Sequence, residues 1–196
     1  LGGGYGSTGI GAGIDLSIVT HNTKAYIASN ANVHAAKDIS VTATSTQNIT
    51  SMAAAVGLGG SAGIAGSATI NVLTTNTFAY ISGGATVHAG GNVTVLASDN
   101  STFGLYAGGL AYGGSAGFAA SNTTLVHNAT VDAWIGAADI ESKGSIGLSV
   151  SATETQNLTT IAVGGAASGL AGIAASAVVN VINDVTRAHI DGGAKI

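Results

Sequence analysis

A short phrase returns through this chain at a near-constant interval, and that interval limits the possible folds more than any other feature. Asn22-Thr-Lys-Ala-Tyr-Ile27 comes back as Asn76-Thr-Phe-Ala-Tyr-Ile81. It recurs more loosely as Thr130-Val-Asp-Ala-Trp-Ile135 and Val185-Thr-Arg-Ala-His-Ile190, so the isoleucines lie 54, 54 and 55 residues apart. Gly59-Gly-Ser-Ala-Gly63 against Gly113-Gly-Ser-Ala-Gly117, and Val33-His34-Ala35 against Val87-His88-Ala89, repeat at the same 54. Self-similarity at such a period marks a stacked repeat architecture. Residues 1–196 are read as one continuous array, an excerpt of something longer. Units 28–81, 82–135 and 136–190 lie between partial units 1–27 and 191–196.

The columns of the repeat carry a strand period. Positions 25, 79, 133 and 188 are all Ala, and 27, 81, 135 and 190 are all Ile. Positions 18, 72, 126 and 181 are Ile, Val, Val and Val, whereas 24, 78, 132 and 187 are Lys, Phe, Asp and Arg. Conserved character at one parity with free variation at the other describes a half-buried strand. Scattered Gly with abundant Thr and Val disfavours helix. In the third unit Ile140 matches Val87 at a spacing of 53 and Val150 matches Val95 at 55. Both length changes fall at Gly-containing turns, because a slip within a strand would turn its core face outward.

These patterns predict an all-β chain, a β-solenoid of ~54-residue repeats stacking like on like. About six short strands per unit are expected, wound as two coils of about 27 residues or three of about 18. The fragment would then be a rod of roughly 35 to 55 Å at ~4.8 Å per coil. The Gly/Ala blocks at 52–68, 104–121 and 161–177 read as faces where two sheets approach closely. They hold few large apolar residues and lack Lys/Arg flanks, so membrane insertion is not expected.

Composition removes several function classes. Charged residues make up 7%, against ~25% in typical domains. Five Lys+Arg in the chain could not neutralise a run of phosphates, so nucleic acid is excluded as a partner. Without Cys there is no disulfide framework and no thiolate metal site.

The chemical motifs read as structural. Gly59-Gly-Ser-Ala-Gly63 and Gly113-Gly-Ser-Ala-Gly117 match G-x-S-x-G, but the pattern occurs twice with no helix to follow. His34, His88 and Glu141 share one repeat position, yet equivalents two or three coils apart would lie roughly 10–14 Å from one another, too far to share a metal. They follow Val33, Val87 and Ile140, so they should point outward. Gly11-Ala-Gly-Ile-Asp15 echoes a calcium-roll nonapeptide, but Asp15 is followed in its column by Thr69, Thr123 and Val178, which cannot supply the carboxylates. Six N-x-[ST] sequons, at Asn48, Asn92, Asn100, Asn122, Asn128 and Asn157, follow from the Asn and Thr content. No catalytic residue, metal or cofactor is expected.

One outward column invites a ligand: Tyr26, Tyr80, Trp134 and His189. Aligned rings can stack on sugars or on a partner rod, or they can simply stabilise the sheet. Residues 39–98 contain no Asp, Glu, Lys or Arg, leaving a hydrogen-bonding, uncharged surface. A regular Thr row of the ice-binding kind breaks where Leu96 and Ser98 follow Thr42 and Thr44.

Units such as Asn76-Thr-Phe-Ala-Tyr-Ile-Ser-Gly-Gly-Ala-Thr-Val-His-Ala-Gly-Gly-Asn-Val-Thr-Val-Leu-Ala-Ser98 resemble the repeats of large bacterial filamentous adhesins. The resemblance is to the leukotoxin-like and filamentous-hemagglutinin-like proteins of type V secretion. It implies a right-handed β-helix shaft, export to the cell surface, and a role in adhesion or biofilm, and no enzymatic activity is expected. The expected function is therefore a structural shaft segment of an extracellular adhesin or surface filament; the alternative is a self-assembling matrix or sheath protein packing through uncharged faces. Uncapped coils at both ends should be met by the rest of the same chain or by further copies, and host-surface or matrix glycans are the expected ligands.

Overall fold

A computed structural model describes all residues, 1–196, as an all-β chain without a helix. β1 (Gly2–Ile27) leads to β2 (Asn32–Ala35), β3 (Ile39–Ile81), β4 (Thr86–Ala89) and β5 (Val93–Gly113). β6 (Ala116–Ile135), β7 (Asp139–Ser142), β8 (Leu148–Ser168) and β9 (Ala171–Ile190) complete the order. All pairings between these strands are parallel.

β3 is two strands in one. Its residues 39–59 pair with β5, and its residues 62–81 pair with both β1 and β6. Each pass therefore runs out along one arm, turns at a tip, returns along a second arm, and crosses a short base strand before the next pass. The base strands form their own sheet in the order β2-β4-β7. Ile27, Ile81, Ile135 and Ile190 are direct neighbours across the ladder. Val87 pairs with Ile140 and Val95 with Val150, so the turns do absorb the length changes.

Two expectations are corrected here. Neighbours in the ladder come from positions such as Ile81 and Ile135, so a single turn of the wall separates them and not two or three. The described passes consequently stack to only about 17 Å at ~4.8 Å each, while each arm of 20 or 21 residues runs roughly 65 Å. Nor are there six short strands per unit: the arms run through their glycines because those glycines sit where two backbones meet. A Cβ on Gly57 would lie 2.0 Å from the Ile64 carbonyl oxygen, and one on Gly113 would lie 1.8 Å from that of Ala116. The Gly/Ala blocks do bring two sheets together.

The interior changes character along the arms. At the base, Ile39, Val41, Ile81, Val87, Val93 and Ile135 belong to one apolar core. Farther out Leu73, Phe103, Leu105 and Leu125 form a second cluster, among buried Thr75, Thr77, Asp99, Ser101 and His127. At the tips only Ala55, Ala65, Ala111 and Ala119 remain. Where the return arm leaves for the base, Asn30 (φ 59), Gly84 (φ 77) and Gly193 (φ 90) adopt the left-handed conformation, which glycine and asparagine tolerate best.

The isoleucine column faces inward, with Ile81 and Ile135 at 0% exposure. Ile27 is partly buried against the same core, and Ile190, in the last pass, is exposed. The column at 18, 72, 126 and 181 lies at the opposite parity, on the outer wall, where Ile18 and Val181 are exposed. Ile81→Asp is expected to cost about 4 kcal/mol or more by burying an unpaired charge, whereas Val72→Asp, on the outer wall, costs much less. Denaturant unfolding of both variants checks the assignment, and equal losses would reverse it.

Candidate functional site

The outer face of the return arm near the base carries two adjacent columns. One is Tyr26, Tyr80, Trp134 and His189; the other is Lys24, Phe78, Asp132 and Arg187. Parallel register sets equivalent rings one ladder spacing apart, close to the separation at which aromatic faces stack. Tyr26 and Tyr80 stack with centroids 5.2 Å apart, Tyr80 and Trp134 at 4.2 Å, and Trp134 and His189 at 6.2 Å, each pair within 10° of parallel. All four predicted ligand residues thus join one ladder, and Tyr26 keeps 57% of its surface exposed.

The neighbouring column braces it. The Lys24 ammonium lies 5.5 Å from the Phe78 ring centre, a cation–π contact, and Phe78 meets Trp134 edge-on at 6.0 Å. Arg187 donates to the Asp132 carboxylate at 2.9 Å, and His189 approaches the same carboxylate through Nδ1 at 3.3 Å and Asp191 through Nε2 at 3.4 Å. The ladder therefore changes along its length from flat phenols to an indole and then to an imidazole flanked by carboxylates. Because the rings lie face to face along the ladder, they cover one another's faces and the row turns its ring edges outward.

The other sequence candidates separate from it. Ser61 and Ser115 sit at the arm tips, where strand follows strand and no helix begins. Asp15 turns inward and accepts from the Ser51 hydroxyl, with the Met52 amide at 3.2 Å. His34, His88 and Glu141 do face outward on the base sheet, but their expected separation is corrected: they occupy adjacent passes. The two imidazoles meet edge-on at 4.7 Å, and His88 lies 3.8 Å from Glu141. The Lys143 hydrogen bond and charge hold the Glu141 carboxyl below its ordinary range.

A second constellation, inside the wall, escaped the motif search. Donor atoms of His127, Glu154 and Asp184 lie within 4.8 Å of one another. Gln156 Nε2 lies 2.6 Å from His127 Nδ1 and the Thr75 hydroxyl lies 3.4 Å from Nε2, so both nitrogens of the imidazole have a protein partner. Burial lowers its pKa, opposed by Asp184 and Asp99. Burial, with Asp184 and Asp99 adding to it, pushes Glu154 up to about 7. The signal that could have located this group is parity: Asp99 occupies the inward column of Ser45, two residues beyond buried Ala43 and Ala97.

Glu154 binds its proton more tightly folded than unfolded, so its contribution to stability is complete below its ordinary value of 4.5 and is lost as the pH rises through about 7. His127, shifted the other way from 6.5, contributes stability that is lost on acidification. Glu154→Gln should therefore hold its melting temperature better than the native chain as the pH climbs through neutrality. A gap between the two chains that stays constant across that range would overturn the assignment.

No helix is long and apolar enough to cross a membrane. Compared with protein-family models, with curated proteins and with solved structures, the chain matches none of them.

Proposed function

We propose that the chain is a structural shaft segment of an extracellular bacterial adhesin or surface filament, a right-handed β-solenoid of ~54-residue repeats without enzymatic activity. The observation that carries this reading is the like-on-like column. Ile27, Ile81, Ile135 and Ile190 pair in one unbroken parallel register, and an outer aromatic row follows the same register. Such a wall is extended by adding passes, each needing only its neighbour. Right-handed crossover is the general rule for parallel strands joined within a sheet. In this reading the shaft supplies reach and stiffness, and the row Tyr26, Tyr80, Trp134 and His189 supplies a line of ring edges, apolar with polar tips, for surface or matrix glycans.

Two measurements test it. Fusing further 54-residue units should lengthen the particle by about 4.8 Å per unit in small-angle scattering; growth in any other proportion would remove the shaft reading. Changing Tyr26, Tyr80 and Trp134 together to Ser should abolish binding to glycans or to host cells while the β-sheet circular dichroism is retained. Binding that persists in the triple variant would leave the column a purely structural ladder.

A further inference from the structure

Beyond the base, the arms carry their side chains in an unusual sense. Outward of the Leu73 and Phe103 cluster, toward the tips, inward positions are small or polar, including Ser51, Ala55, Gly57, Ser67, Thr69 and Asn71, all buried. The larger apolar residues point out: Met52 is 70% exposed, Leu110 60% and Phe118 44%. Every charge on the arms either faces inward, as Asp15, Asp99, Glu154 and Asp184 do, or sits near the base, as Lys24, Asp132 and Arg187 do. An apolar, uncharged outer wall of several hundred Å², on the order of the largest patch a monomer exposes, is the kind of surface that marks an interaction site.

The outer wall of the return arm has relief. Ile10, Ile64, Phe118 and Ile173 are ladder neighbours and form one ridge along the solenoid axis. Behind it runs a groove of about 510 Å³ that crosses all four passes, lined by Ala12, Gly66, Ala68 and Ala120 and narrowed by Ile14 and Asn122. A second ridge follows in the columns of Ile70 and Val72. A ridge lying beside a groove is self-complementary under a two-fold axis parallel to the solenoid axis: each ridge enters the other copy's groove. That operation keeps both axes parallel, so the ~4.8 Å spacing of one wall stays in step with the other at every pass. It also places the charged bases at opposite outer edges.

We propose that the tips of two copies of this chain pack through the return-arm wall, with the Ile64–Phe118 ridge of each seated in the Gly66–Ala120 groove of the other. Eight or nine residues of overlap over four passes cover roughly 500 Å² of wall per partner, and every added pass enlarges it toward the ~800 Å² of a standard interface. A lipid surface is the poorer occupant. The groove is lined by the Asn122 amide as well as by alanines, and a polar group left without a partner in hydrocarbon costs several kcal/mol. The pairing is independent of the adhesin reading, since it concerns no glycan and no location.

The chain has no cysteine, so single replacements report contacts without background. Ala120 lies on the groove floor next to the two-fold axis, and Ala54 lies on the outer wall of the outgoing arm. Under mild oxidation A120C should be trapped as a covalent dimer and A54C should remain single. Adding Phe118→Asp, an exposed position, should lower the trapped fraction by about tenfold with an unchanged circular dichroism spectrum. End-to-end stacking would hold two Ala120 sites about four passes, or ~19 Å, apart, beyond disulfide reach. An A120C chain that stays monomeric at its solubility limit, or traps no better than A54C, overturns the pairing. So does a native chain that floats with neutral phosphatidylcholine vesicles in preference to dimerising, which would assign the wall to lipid.

Discussion

The parallel ladder between passes is the interaction on which everything else rests. Of 135 backbone hydrogen bonds, 112 lie within the strands, so the wall is held by main-chain pairing before any side chain contributes. In-register pairing then sets what side chains can do. Asn76 donates to Asn22 at 2.8 Å and Asn183 to Asn128 at 2.9 Å, one pass apart, as amide ladders do. The aromatic row uses the same spacing. A repeated charge has no such solution, because like charges would sit one ladder step apart. This is a physical reason for the low charge content, and for columns such as Lys24, Phe78, Asp132 and Arg187, in which two like charges never adjoin. The inward pair Asp99 and Glu154 is the exception, and there burial first, then the charge of Asp184 and to a lesser degree that of Asp99, pushes Glu154 up to about 7.

Close approach of the two arms is the second constraint, and it inverts the usual distribution of apolar residues. Main chains that nearly touch at the tips leave room only for Gly, Ala and Ser between them, so the tips cannot build an interior from Leu, Ile and Phe. Large apolar side chains are then confined to the base and to the mid-arm cluster of Leu73, Phe103, Leu105 and Leu125, or displaced to the outer wall. The base does the conventional hydrophobic work, with Val87, Val93 and Ile135 at 0% exposure. The arms depend on the ladder and on short-range contact between backbones.

Much of this was legible in the residues. The columns of Ala25 and Ile27 identified strands, and the displaced lengths around Ile140 and Val150 located turns, because period and phase survive without any knowledge of packing. The aromatic row followed from parity alone. Pass length did not follow. A glycine in sequence looks the same whether it makes a turn or admits a neighbouring backbone, and expecting about six short strands per unit split one 54-residue pass into two or three coils. That error placed His34 and His88 far apart when their rings touch. The interior group of His127, Glu154 and Asp184 was hidden for a different reason. Its members lie in separate columns and passes, and only the facing of two arms brings them together.

The two surfaces of the wall are compatible with one another, and that bears on how a filament of this kind could work. Pairing through the tips leaves both base edges pointing away from the contact, and each base edge carries its own aromatic row. With arms of roughly 65 Å overlapping by eight or nine residues, the two rows stand on the order of 100 Å apart on opposite margins of one sheet-like strip. Rows that repeat with every pass along both margins multiply weak single contacts, since a ligand held by one ring keeps its next site at high effective concentration. Individual ring contacts could then be weak, and the proposed shaft would need no deep pocket to hold a repetitive partner. Under that proposal stiffness, lateral pairing and multivalent display would all draw on the same in-register ladder, which this chain builds with few charged residues and little conventional core.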